Sequence, residues 1–131
     1  MNGLTTINSK YSTEETTDRI IALLKEKEFH IFAKIDHQEN AAKHEIELRP
    51  TSLIIFGNPS GGTLLMQEQQ TIGIDLPAKF LVWENKSGDT KITYNQSDYL
   101  AERHGLSSKT QKPITALKNT IESVSKEAAG H

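Results

Sequence analysis

Hydrophobic and polar positions change period several times along the chain, and each change marks an element. Residues Leu4 to Tyr11 carry threonines and Ile7 in a short stretch that predicts a first strand. Ser12 followed by Glu15 is a capping-box signature. Thr16, Thr17, Ile20, Ile21, Leu23 and Leu24 then recur at three- and four-residue spacing through about Glu28, which predicts an amphipathic helix. Phe29, Ile31, Ala33 and Ile35 next alternate with His30, Phe32, Lys34 and Asp36, so the period falls to two and a second strand is predicted.

Asp36 is placed to cap a short helix, with Glu39 three residues on and Ala41 and Ala42 as its packing face. Leu48-Arg49-Pro50 is extended, because a residue before proline is pushed out of the helical region. Ser52 to Phe56 is apolar on both faces and is expected to be the most central strand. The glycine-rich loop Gly57 to Gly62 leads to a brief helix over Thr63 to Gln70. Phe80 to Trp83 and Thr90 to Tyr94 flank the turn residues Asn85 to Asp89 and predict a hairpin. A helix from Ser97 to His104 is expected to stop at Gly105 with Leu106 folded back on it. The last helix starts near Pro113 and gathers Ile114, Leu117, Ile121, Val124 and Ala128 on one side, with fraying expected from about residue 128. The order β-α-β-α-β-α-β-β-α-α predicts an α+β fold, a mostly antiparallel sheet backed by helices, in a single domain over residues 1–131.

Composition removes several classes of function. The absence of cysteine excludes disulfide frameworks, thiolate metal sites and thiol nucleophiles. Fifteen Lys and Arg against seventeen Asp and Glu leave no basic surplus, so a nucleic-acid partner is not expected. The N-terminus lacks the apolar run of a signal peptide and no stretch approaches the roughly 20 apolar residues of a membrane span, so a cytoplasmic protein without a membrane partner is expected. No cofactor is implied.

The segment from Gly57 to Thr63 is the most informative for chemistry. A glycine-rich turn from a strand into a helix aims backbone N–H groups at one point and can hold a carboxylate or phosphate. No lysine follows the second glycine, so the phosphate loop of nucleotide hydrolases is rejected. The competing structural reading is a tight turn in which Gly61 or Gly62 takes positive φ and Ser60 or Thr63 caps the helix. Asp75, between Ile74 and Leu76, is a candidate general base, and Glu84 is a weaker one. His30, His37 and His44 are evenly spaced, but on one helix His37 and His44 would lie about 10.5 Å apart, too far to share a metal ion. His104 reads as a residue at a helix C-terminus.

Taken together, Asp36-His37, Leu48-Arg49-Pro50-Thr51, Phe56-Gly57-Asn58-Pro59, Gly61-Gly62-Thr63, Asp75-Leu76-Pro77, Trp83-Glu84 and His104-Gly105-Leu106 resemble the bacterial and archaeal family known as domain of unknown function 302. The resemblance runs from about Tyr11 to Leu106. It implies a sheet backed by helices, like one half of the TATA-binding protein, and a homodimer; it implies no activity. Members of that family often have glycine where Glu28 stands here, and proline where Leu64 stands.

Three functional readings follow. The first is a domain that binds a small or anionic ligand as a homodimer, with Asn58, Ser60, Gly61, Gly62, Thr63, Asp75 and His37 around the site. The second is an enzyme with Asp75 or Glu84 as base and loop amides as oxyanion donors. The third is a structural or interaction module without a ligand.

Overall fold

The computed structural model describes residues 2–131 and contains a five-stranded antiparallel sheet in the order β1-β5-β4-β3-β2. The strands are β1 (Leu4–Ser9), β2 (His30–Asp36), β3 (Thr51–Gly57), β4 (Ala78–Glu84) and β5 (Thr90–Asn95). The helices are α1 (Thr13–Glu26), α2 (His37–Ala42), α3 (Pro59–Glu68), α4 (Ser97–Arg103) and α5 (Gln111–Ala128), with 3-10 turns over Gln70–Ile74 and Ser108–Thr110. The fold class and the element order agree with the sequence reading.

One face of the sheet and the two long helices enclose the main core. Ile54 and Phe56 of β3, Phe80 and Val82 of β4 and Ile92 of β5 meet Ile20 and Leu24 of α1 and Ile121, Val124 and Ala128 of α5. Phe56 and Phe80 stack at 5.0 Å, and Phe29 and Tyr94 meet them edge-on. A smaller cluster, Leu65, Ile72, Leu100 and Ile114, joins α3, the following 3-10 turn, α4 and the start of α5.

Four expectations are corrected. The most central strand is β4, and β3 lies one strand further toward the β2 edge. The first strand ends at Ser9. The third helix begins at Pro59, four residues before the expected Thr63, because Asn58 caps it and proline suits the first turn. The tail does not fray. Ala128 and Ala129 are fully buried, Lys10 N–H donates to the Ala129 carbonyl, and Arg19 donates to the carbonyls of Glu127 and Ala128.

Helix α1 stops where the period change places its end, but on an unexpected residue. Phe29 N–H donates to the Leu24 carbonyl and Glu28 N–H to the Lys25 carbonyl, a Schellman closure that puts Glu28 in the left-handed region at φ 65°. Gly105 closes α4 in the same way at φ 68°, with Leu106 N–H on the Ala101 carbonyl.

Candidate functional site

A cavity of about 390 Å³ opens where β3 ends and α3 begins. Phe29, Phe32 and Pro77 wall it on the sheet side, Gly61, Gly62, Leu65 and Met66 on α3, and Pro113, Ala116 and Leu117 on α5. Gly73 and Leu76, in the segment after α3, close it further. Its polar fringe is Asn58, Thr63 and Thr120, and no charged side chain lines it.

Glycine makes the space. Four of the eight glycines, Gly57, Gly61, Gly62 and Gly73, line this cavity, and none of them has a positive φ. Gly61 and Gly62 sit inside α3, where each costs roughly 0.5–1 kcal/mol relative to alanine. Backbone geometry does not require them. A Cβ on Gly62 would lie 3.7 Å from Leu76 Cδ1 and 4.0 Å from Met66 Cε, ordinary contact distances, so packing does not forbid alanine either. What the missing side chains provide is volume.

The expected anion cradle is mostly consumed by the helix itself. Asn58 Oδ1 accepts from Ser60 N–H at 3.1 Å and from the Ser60 hydroxyl at 2.7 Å, and Gly62 N–H donates to the Asn58 carbonyl. Pro59 has no N–H. The cap is therefore Asn58, not Ser60 or Thr63, and the Thr63 hydroxyl donates to the Pro59 carbonyl. Asn58, Gly61, Gly62 and Thr63 do line the cavity, while Ser60 is exposed and outside it.

The remaining candidates do not reach this cavity. His37 follows Asp36, which pairs with Ser52, five residues or about 17 Å along β3 from Gly57. Glu84 lies six residues along β4 from the cavity-lining Ala78, about 20 Å away. Asp75 is nearer in sequence, but its carboxylate is engaged elsewhere. Arg103 donates to both carboxylate oxygens at 3.2 and 3.0 Å, and His104 Nε2 lies 2.6 Å from Oδ2. The other ring nitrogen of His104 is 3.0 Å from the Thr71 hydroxyl. The base that the enzyme reading needs is thus held on α4 rather than presented to the cavity.

This Thr71–His104–Asp75–Arg103 cluster escaped the sequence reading because its two halves, Thr71 with Asp75 and Arg103 with His104, are 28 to 33 residues apart. His104 does cap the C-terminus of α4, and with its side chain only 8% exposed its ring is a buried tie. It fixes the segment from Thr71 to Asp75 against the end of α4, and that segment carries Gly73 into the cavity wall. A second tie holds the lower end of α3: Glu68 accepts from Ser107 N–H at 2.8 Å and the Thr110 hydroxyl at 2.6 Å. Ser107 and Thr110 hold that carboxyl below the usual carboxylate range. Burial pushes Lys79 down from its ordinary value, with its ammonium donating to the Pro77 and Asp75 carbonyls. Among the described residues no three His, Asp or Glu side chains converge as metal ligands.

Comparison with known proteins bears on this site only through the fold. The family model for the domain of unknown function DUF302 matches residues 5–124. A crystal structure of an uncharacterized conserved DUF302 protein from Bacillus stearothermophilus superposes with a TM-score of 0.84 at 17% identity, covering 98% of this chain and 99% of that one. Proteins named fluoride-specific ion channel FluC 1 from Brucella suis biovar 1 (strain 1330) and Brucella abortus biovar 1 (strain 9-941) are each 42% identical over 129 residues. That match covers 98% of this chain and 51% and 48% of those proteins, so the chain spans about half the length of the curated relatives it matches. No helix among the described residues is long and apolar enough to cross a membrane.

Proposed function

The chain belongs to the DUF302 family, domains of unknown function, and we propose that this member binds a neutral, mostly apolar small molecule in the cavity between α3 and α5, as a homodimer. The observation that carries the binding is the glycine lining. Four side chains are omitted where φ does not call for it. At Gly57, Gly61 and Gly62 packing does not call for it either, whereas a Cβ on Gly73 would crowd Met66 Sδ at 3.0 Å, and the two within α3 are retained against helix propensity. Sites that trade stability for ligand space show this pattern.

The chemistry of the walls selects the ligand. A cavity of about 390 Å³ suits a small organic molecule of one or two rings. Phe29, Phe32, Met66, Leu76 and Leu117 offer dispersion contact, and Asn58, Thr63 and Thr120 can orient one polar group. With no cation in the lining and the α3 amides largely capped, a charged carboxylate or phosphate would be desolvated without compensation.

The Brucella relatives favour a setting for this binding. The share of those proteins that this chain matches is about half, and their name is that of a membrane channel. A domain of this kind would act beside such a pore, reporting a small apolar molecule to it. Fluoride itself does not suit the apolar cavity. A thermal-shift series tests the reading, because a ligand that binds only the native state raises the melting temperature by mass action. Neutral aromatic and aliphatic probes are expected to raise it, and phosphate, acetate and fluoride are expected to leave it unchanged. Stabilisation by the anions alone would overturn the proposal.

A further inference from the structure

The second face of the sheet has no helix layer of its own. Leu53 and Ile55 of β3 and Leu81 and Trp83 of β4 alternate with the core residues Ile54, Phe56, Phe80 and Val82, so they point away from α1 and α5. The register sets Ile35, Leu53, Leu81 and Thr93 in one row across four strands, with Ala33, Ile55 and Lys79 in the next. Leu53, Ile55, Leu81 and Trp83 belong to neither buried cluster. This is why β3 reads as apolar on both faces although the monomer covers only one. A strand with that pattern is built to be buried twice.

We propose that this face, centred on Leu53, Ile55, Leu81 and Trp83, is the surface on which a second copy of the chain packs. The inference rests on the homodimer part of the reading above and adds its location. An isologous interface must match itself, and this one does. By strand alternation no carboxylate of β3, β4 or β5 points from it, and its two lysines turn their ammonium groups back onto their own chain. Lys79 donates to the Pro77 and Asp75 carbonyls, and Lys91 to Asn8 Oδ1. The centre is apolar, while β5 and β1 supply a polar rim of internally satisfied pairs: Thr6 with Thr93 at 2.7 Å, and Trp83 Nε1 donating to Thr93 at 2.9 Å.

The size is sufficient. Five strands spaced about 4.8 Å, each about 20 Å long, present roughly 500 Å² in projection. That projection is of the order of the roughly 600–1,000 Å² per partner that a stable dimer buries, with Leu53, Ile55, Leu81 and Trp83 half-buried in the monomer. Two sheets packed face to face keep their strand directions within about 30° of each other. Pairing through the β2 edge is disfavoured by the register shift between Ile31 and Ala33 and by exposed Lys34.

The chain has one tryptophan, and it lies on this face, so the unmodified protein carries its own reporter. Sedimentation velocity over a dilution series gives the mass while Trp83 emission and acrylamide quenching are read on the same samples. The expected result is a dimer whose dissociation shifts Trp83 emission to the red and raises its quenching several-fold. A monomer at every concentration would overturn the homodimer reading and this surface with it. A dimer that dissociates with unchanged Trp83 emission, or one that never dissociates yet leaves Trp83 freely quenched, would overturn the location alone. Leu81→Arg and Leu81→Glu are expected to be monomers separately and to form a mixed dimer when combined, which a merely misfolded pair would not do.

Discussion

Replacing Gly62 by alanine separates a structural glycine from one kept for volume. The residue sits in the first turns of α3 with an ordinary helical φ, so alanine removes the entropic penalty of glycine without backbone strain. The new Cβ would meet Leu76 Cδ1 at 3.7 Å and Met66 Cε at 4.0 Å, which adds contact and no clash. The change is therefore worth about 0.5–1 kcal/mol of added stability, a rise of about 2–4 °C in melting temperature for a domain of this size. Urea unfolding gives the first number and scanning fluorimetry the second. The neutral fluorophore N-phenyl-1-naphthylamine, titrated into the same samples, reads the cavity. Gly62→Ala is expected to bind it more weakly while being more stable, and Gly62→Leu, whose side chain fills the space between Leu76 and Met66, is expected to lose it. A destabilised Gly62→Ala, or a folded Gly62→Leu that binds the fluorophore as the unmodified protein does, would refute the argument that glycine here is kept for volume.

The other ties give sharper predictions of direction. His104→Ala leaves the Asp75 carboxylate with Arg103 alone and frees the Thr71 hydroxyl, and it is expected to cost about 1–3 kcal/mol in urea unfolding. The same variant is expected to speed amide exchange selectively between residues 70 and 77; uniform protection loss would contradict the tie. Glu28→Gly relieves a left-handed backbone at a helix end and is expected to add about 0.5–1 kcal/mol, measured the same way. The Glu68 carboxyl is held below its ordinary value of 4.5 by Ser107 and Thr110. Its contribution is therefore present above that pH and lost as pH falls through the lowered folded value. Glu68→Gln is expected to flatten the acid limb of the stability curve, and an unchanged limb would exclude Glu68 as one of its sources.

How much of this was legible in the sequence depended on whether the signal was local. Ser12 with Glu15, Asp36 with Glu39 and Gly105 with Leu106 each close their helix end with neighbours, and Ser12 and Asp36 cap as the pattern implies. Gly57 to Gly62 misled because glycine is a turn residue by default. Asn58-Pro59 already marked a helix start, and the glycines after it serve space rather than bending. The central position assigned to β3 failed for an instructive reason. Apolarity on both faces does not by itself fix a strand's place in the order, and β3 lies one strand from the centre with only one of its faces in the main core. Asp75 reads in the sequence as a candidate base, whereas its carboxylate is held by Arg103 and His104, which only the fold brings to it. The cavity itself had no sequence signature apart from the crowding of glycines at one strand end.

Occupancy of that cavity is the decisive observation. A crystal structure of the protein soaked with N-phenyl-1-naphthylamine should show the fluorophore bounded by Phe32, Gly62, Gly73 and Leu117, with α3 unmoved. Finding Met66 and Phe32 collapsed into the space, or the fluorophore bound only elsewhere, would contradict it.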